Sequence, residues 1–156
     1  MLQNAGVGAG LVEAGGDIRF WGHKPDGNGW QFGVQHPRER ERFLIVGDVG
    51  LPALATSGDY EQVFEFEGRR YHHLLDPATG YPANKAISAS VWAENALDAD
   101  ILATAAFVLG PDAGCELIEE INSTETVIFY SEGGVVHYRA SSGLNGHFTE
   151  RFGLEQ

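Results

Sequence analysis

The segment Tyr71-His72-His73-Leu74-Leu75-Asp76-Pro77-Ala78-Thr79-Gly80-Tyr81-Pro82 constrains the fold more than any other part of the chain. Proline disfavours helical backbone at the residue before it, so Asp76 is extended or in a turn. Thr79-Gly80 then offers a position where positive φ carries no steric cost. A strand is therefore expected to end at the histidines, with the chain turning sharply just after them. Two imidazoles, a carboxylate and a hydroxyl sit on a loop carried by a rigid strand, a common place for catalysis. The plainer alternative is a hairpin connection whose histidines mark a solvated strand edge, and local physics alone leans slightly to it.

Size and charge set the outer limits. At 156 residues the chain is expected to form a single domain, residues 1–156, long enough to bury about two-thirds of its unfolded surface. Hydrophobic residues make up 43% of it, the proportion of a folded globule. The formal charge of −12 argues against general nucleic-acid binding and against docking on anionic lipid. An anionic ligand would need local help, from a metal or from backbone amides. Cys115 is the only cysteine, so no internal disulfide forms; between helix-forming neighbours it reads as a core residue. No apolar run approaches the roughly 20 residues of a membrane span. Met1 to Gly6 is neither basic nor strongly apolar and does not read as a signal peptide.

Along the chain, residues 1–5 read as the last turn of a helix, stopped by Gly6. Residues 9–14 and 17–22 read as strands joined at Gly15-Gly16, a tight turn whose amides can point at a ligand. Residues 30–35 alternate as a half-buried strand does. Residues 37–42 form a charged connector, expected to be solvated. Residues 43–46 and 53–56 are further strands, with Ser57 to Tyr60 as a turn. Residues 63–67 and 69–73 make a hairpin that delivers the central loop. After a strand at 87–93, Asn95 or Asp98 is a candidate cap for a helix running to about Leu109. A second helix spans 111–121, with Pro111 in its first turn. Residues 126–130 and 135–138 close a hairpin, and the tail after Ser141 has no assigned role. The expected fold is α+β, a largely antiparallel β-sheet with two adjacent helices packed on one side.

One pair on the first helix bears on chemistry. Asp100 and Thr104 are four apart and share a helical face. Their oxygens make part of a site for a hard cation such as Mg²⁺. By spacing alone the simpler account wins, in which Thr104 bonds back to its own helix and Asp100 is solvated. His23, His36, His137 and His147 lie in no motif and are expected at the surface.

His73-Leu74-Leu75-Asp76-Pro77-Ala78-Thr79-Gly80-Tyr81-Pro82 resembles the H-[IL]-[IL]-D-P-x-T-G-x-P signature of the ApbE family, the FAD:protein FMN transferases. Ala14-Gly15-Gly16-Asp17-Ile18, Ala55-Thr56-Ser57-Gly58-Asp59-Tyr60 and Asp100-Ile101-Leu102-Ala103-Thr104 resemble that family's A-G-G-D-I, A-T-S-G-D-Y and D-x-L-x-T motifs, in the same order. The resemblance implies transfer of FMN from FAD to a Ser or Thr hydroxyl of an acceptor flavoprotein, with AMP leaving. It implies Mg²⁺ held by Asp100 and Thr104 against the FAD diphosphate, and weaker holding here, because some members carry a further Asp where this chain has Ala103. It implies His73 near the reacting phosphate as base or orienter. It also implies Leu74, Ser57 and the Gly15-Gly16 amides as flavin contacts. His72 would face the other way and be structural.

The resemblance covers about the C-terminal half of the family. Its D-x-x-x-x-x-K-G stretch and its earlier N-terminal half have no counterpart here. A fragment, a natural short homologue that has lost catalysis, and a chain completed by self-association or by a complementing N-terminal segment are three readings of that difference. Family members commonly work in the bacterial cell envelope. Two other functions stay open beside the transferase: a non-catalytic flavin-binding or assembly module, and an FAD pyrophosphatase that releases AMP and FMN.

Overall fold

The computed structural model describes residues 2–39 and 41–152. A 3₁₀ turn at Gln3–Ala5 is stopped by Gly6, and then come β1 (Gly10–Ala14), β2 (Asp17–Trp21), β3 (Phe32–Gln35), β4 (Arg42–Val46), β5 (Ala53–Gly58), β6 (Val63–Phe66), β7 (Arg69–His72) and β8 (Ser88–Ala93). Helices α1 (Ala96–Leu109) and α2 (Pro111–Glu119) lead into β9 (Thr124–Glu132) and β10 (Val135–Ala140). A 3₁₀ turn at Ser142–Leu144 precedes β11 (Phe148–Phe152).

The architecture is α+β, with six antiparallel strands in the order β1-β2-β5-β8-β9-β10 and both helices on one face. Period-two alternation divides β5 and β8 between two cores. Ala53, Ala55, Ala89, Val91 and Ala93 face the helices, where they meet Ala99, Ala103, Ala106 and Phe107 of α1. Leu54 and Trp92 face the other way, onto Val34, Leu44 and Val46. These last residues belong to a second sheet, β11-β4-β3, which the sequence reading did not anticipate. β11 is contributed by the tail whose role was open, and it pairs with β4 along its length.

The helix-facing core is mostly alanine, and small side chains let α1 approach the sheet closely. Ala103 is 1% exposed and lies within this core, among the sheet-facing residues rather than on a ligand-facing wall. Asn95 caps α1 by accepting the Asp98 N–H at 2.9 Å. Gly110 ends it at φ 87° and leads directly into Pro111 of α2; a β-carbon at Gly110 would meet Lys85 at 2.6 Å. Cys115 is buried, its thiol pushed up to about 11 by burial and then by Glu119, so it is an unreactive core residue.

Three local expectations change. Ser57 belongs to β5 rather than to a turn, because its pairing with Ala89 continues the β5–β8 ladder. The charged connector is tied down, since Arg38 grips the Asp59 carboxylate through both terminal nitrogens. His36 is a turn residue, its Nδ1 accepting the Arg38 and Glu39 N–H groups, with its ring edge-on to Phe129 at 5.7 Å.

Candidate active site

Strands β2 and β5 pair through only two residue couples, Ile18 with Leu54 and Arg19 with Ala53. Beyond Leu54 they part, and the outer edge of β5 diverges from the Gly15-Gly16 tip of the β1–β2 hairpin. The gap is a cavity of about 730 Å³. Backbone groups left unpaired along such an edge need partners. His73, Leu74, Ser57, Gly15, Gly16, Asp100 and Thr104 all line this one cavity.

Each arrives by a different route. The Asp76-Pro77-Ala78-Thr79-Gly80 turn is closed by its own atoms: Asp76 accepts the Ala78 N–H at 2.9 Å through its side chain and the Gly80 N–H at 2.8 Å through its carbonyl. The Thr79 hydroxyl accepts the Tyr81 N–H at 3.2 Å. The carboxylate and hydroxyl of that motif are thus spent on shape. Leu74 is buried, whereas His73 is exposed at the cavity. Ser57 points at the helices, and its Oγ lies 3.0 Å from Thr104 Oγ1, a contact that depends on the close alanine packing of α1. Asp100, one turn earlier on α1, is exposed at the rim. The Gly15-Gly16 turn has φ of 68° and 102°, a two-residue hairpin turn natural to glycine. Its Gly16 amide is not free for a ligand, because it donates to the Glu13 carboxylate at 2.7 Å.

Asp17 is the residue that reasoning from the sequence left without a role. It lines the cavity, and burial, then the Asp100 charge, then Glu13 hold its carboxyl above the usual range. Its signal was its place in the Ala14 to Ile18 motif. The cavity wall carries Asp17, Glu61 and Asp100 and no lysine or arginine among the described residues. Ile18, Phe32, Val34 and Leu54 give it an apolar side. Among the described residues no three His, Cys, Asp or Glu side chains converge on one metal position.

His72, next to His73, fixes the loop. Its Nε2 is 3.0 Å from the Ala83 carbonyl, and its Nδ1 accepts the Leu74 N–H at 3.3 Å. Its ring meets Phe107 edge-on at 5.6 Å. Accepting at Nδ1 while donating at Nε2 requires the neutral ring, and burial lowers its proton affinity, with the Ala83 carbonyl acting the other way. A folded-state pKa below the unfolded value means the unfolded chain takes up the proton first as pH falls. The stabilisation is therefore complete above about 6.5 and is lost as pH drops below that value. A His72→Gln protein, which cannot titrate there, is expected to lose less melting temperature than the unsubstituted chain between pH 7.5 and 5.5, measured by circular dichroism. An equal loss in both would separate His72 from loop stability.

No described helix is long and apolar enough to cross a membrane. The ApbE family model matches residues 1–129. An FAD:protein FMN transferase of Vibrio cholerae is 36% identical over 143 residues, which cover 90% of this chain and 43% of that protein. One from Treponema pallidum is 38% identical over 117 residues, 74% of this chain and 32% of that one. The solved flavin transferase ApbE from Vibrio cholerae matches with a TM-score of 0.78 at 33% identity, over 94% of this chain and 46% of that chain. The apo flavinyl transferase ApbE of Pseudomonas stutzeri gives 0.74 at 34%, over 94% and 46%. This chain spans less than half the length of these relatives.

Proposed function

The chain belongs to the ApbE family, and on that premise we propose that it forms the phosphate-facing half of a site transferring FMN from FAD to a Ser or Thr hydroxyl of an acceptor flavoprotein. The observation that carries this reading is the convergence of His73, Ser57, Asp100 and Thr104, from three separate segments, on one cavity with an apolar side. The acceptor hydroxyl oxygen attacks the FMN phosphorus of FAD. The phosphoanhydride bond to AMP breaks, AMP leaves, and the hydroxyl proton passes to His73. Such chemistry asks the protein mainly for positioning and charge compensation. Ile18, Phe32, Val34 and Leu54 offer the apolar surface that a flavin ring requires.

The donor set fits a hard cation. A dianionic diphosphate entering a wall of carboxylates with no basic side chain would be repelled. Asp100 and Thr104, with Ser57 and Asp17 beside them, offer oxygen donors only, the preference of Mg²⁺, with the remaining positions left to water and phosphate. When bound, Mg²⁺ would neutralise charge on the phosphate oxygens. Asp100→Asn is expected to raise the Mg²⁺ concentration for half-maximal transfer at least about 10-fold. In the absence of metal it should also let the Asp17 carboxyl fall towards its ordinary value, followed by NMR titration. An Asp17 titration indifferent to the substitution would count against the shared carboxylate site.

The remaining half of the site is proposed to come from a further polypeptide segment, an N-terminal one or that of a second copy. Leu97 and Ile101 form an apolar stripe on the outer face of α1 at 67% and 56% exposure, adjacent to the cavity through Asp100. The test is direct: the protein is incubated with FAD, Mg²⁺ and an acceptor flavoprotein, and flavin fluorescence on the acceptor is read in a denaturing gel. Free FMN and AMP without labelled acceptor would point to a pyrophosphatase, and flavin binding without turnover to a binding module.

A further inference from the structure

A second groove, about 590 Å³, opens on the other side of the His72-His73 dipeptide. His72 lines it, whereas His73 lines the first. β7 ends at His72 and His73 lies just beyond it, so the backbone ridge joining these two residues separates the grooves. Their charges are opposed. The first is walled by carboxylates, but Arg38, Arg69 and Arg70 line the second against a single carboxylate, Asp59. Three of the ten basic residues of a chain with net charge −12 are gathered there. Arg38 is neutralised by Asp59, and Arg69 lies over the Tyr71 ring at 5.9 Å. Arg70 stands opposite Glu65 in the β6–β7 register, without a salt bridge between them.

The rim is apolar and exposed. Tyr71, Tyr81 and Pro82 line the groove, Tyr81 at 59% exposure. Beyond them the exposed Phe64 stacks on Tyr71 with centroids 5.2 Å apart, and the exposed Leu75 pairs with Pro82. A small anion does not use such a rim; a polypeptide does. We infer that this arginine groove seats an acidic stretch of the acceptor polypeptide, beside the hydroxyl residue that crosses the ridge to His73. The inference rests on the transferase reading above and names how its protein substrate is held. The segregation of charge then serves both substrates: the carboxylate wall takes a metal-bound diphosphate, and the arginine wall takes the acidic protein and draws it in from solution.

The experiment uses the full chain with an acceptor flavoprotein, reading initial labelling rates by in-gel fluorescence. Arg69→Glu/Arg70→Glu is expected to raise the KM for acceptor at least about 10-fold, with the KM for FAD changed less than about twofold. Arg69→Ala/Arg70→Ala, the gentler variant, should give a smaller rise and a flatter salt dependence of the acceptor KM. An acceptor whose acidic residues flanking the target are replaced by lysine should label poorly with the unsubstituted protein and regain rate with the doubly reversed one. An unchanged acceptor KM in both variants would overturn the docking assignment alone. So would a rise in the FAD KM in step with it, which would give the groove to the dinucleotide. If the unsubstituted protein labels no acceptor, the transferase reading falls and the docking falls with it.

Discussion

His73→Ala is expected to lower the rate of flavin transfer by roughly 10²–10⁴-fold, the range that a positioned proton acceptor contributes. The ring is exposed at the mouth of the cavity, and the hydrogen bonds that shape its loop belong to His72, Asp76 and Thr79. Truncation at position 73 should therefore leave fold and loop in place. The loss should appear in kcat, with the KM for FAD within about threefold, because an interaction made only as the proton moves does not contribute to ground-state binding. Stopped reactions analysed for labelled acceptor and for AMP measure it, and added imidazole should recover part of the rate. A kcat within about threefold of the unsubstituted protein would remove His73 from the chemistry. His72→Gln serves as the contrast, since it should keep both loop contacts and most of the rate.

Phe107→Ala is expected to be the most damaging single truncation in the helix-facing core. The side chain is fully buried among Ala103, Ala106, Ile118 and Ile128, and alanine neighbours cannot expand to fill the space it leaves. A cost of about 3–5 kcal/mol follows from lost transfer energy together with the cavity. In a chain of this size that lowers the melting temperature by roughly 10 °C. The same ring meets His72 edge-on, so the loop that presents His73 loosens too. Transfer measured well below the new melting point should fall by more than the unfolded fraction explains. Phe107→Leu, which leaves a smaller void, should cost less on both counts. A melting temperature within about 2 °C of the unsubstituted protein would show that the core collapses around the gap.

Much of the local structure was legible because it is written in short-range terms. Asn95 as a cap, Gly110-Pro111 as the break between helices and Gly15-Gly16 as a hairpin turn all follow from backbone preferences that need no distant partner. The two faces of β8 are less so. Ser88 to Ala93 is buried on both sides, giving an unbroken buried run whose sidedness appears only when the helices and the small sheet are in place. The tail could not be assigned, since β11 gains meaning only by pairing with β4, which precedes it by about a hundred positions. Ser57 to Tyr60 reads as a turn along the chain, yet the ladder to β8 carries the strand through Ser57 and Gly58.

Asp17 shows the limit of motif reading. Its place in a motif was visible, but its relation to Asp100 is an effect of through-space charge and burial that no spacing along the chain encodes. The same holds for the two grooves. Adjacent histidines can be expected to face opposite ways, but that one looks onto carboxylates and the other onto arginines depends on where β5, α1 and the β6–β7 hairpin come to rest.

By itself, then, the sequence determined the Gly15-Gly16 hairpin turn, the helix cap and break, the strand-ending loop at His73 and the chemical types available to the site, since these depend on backbone sterics and side-chain identity over a few residues. Only the tertiary structure decided that β2 and β5 part after two couples to open a cavity. Only it brought Ser57 within hydrogen-bonding reach of Thr104 and divided the charges between two faces of one ridge. Those features depend on contacts between residues tens of positions apart, whose formation is governed by packing rather than by local preference.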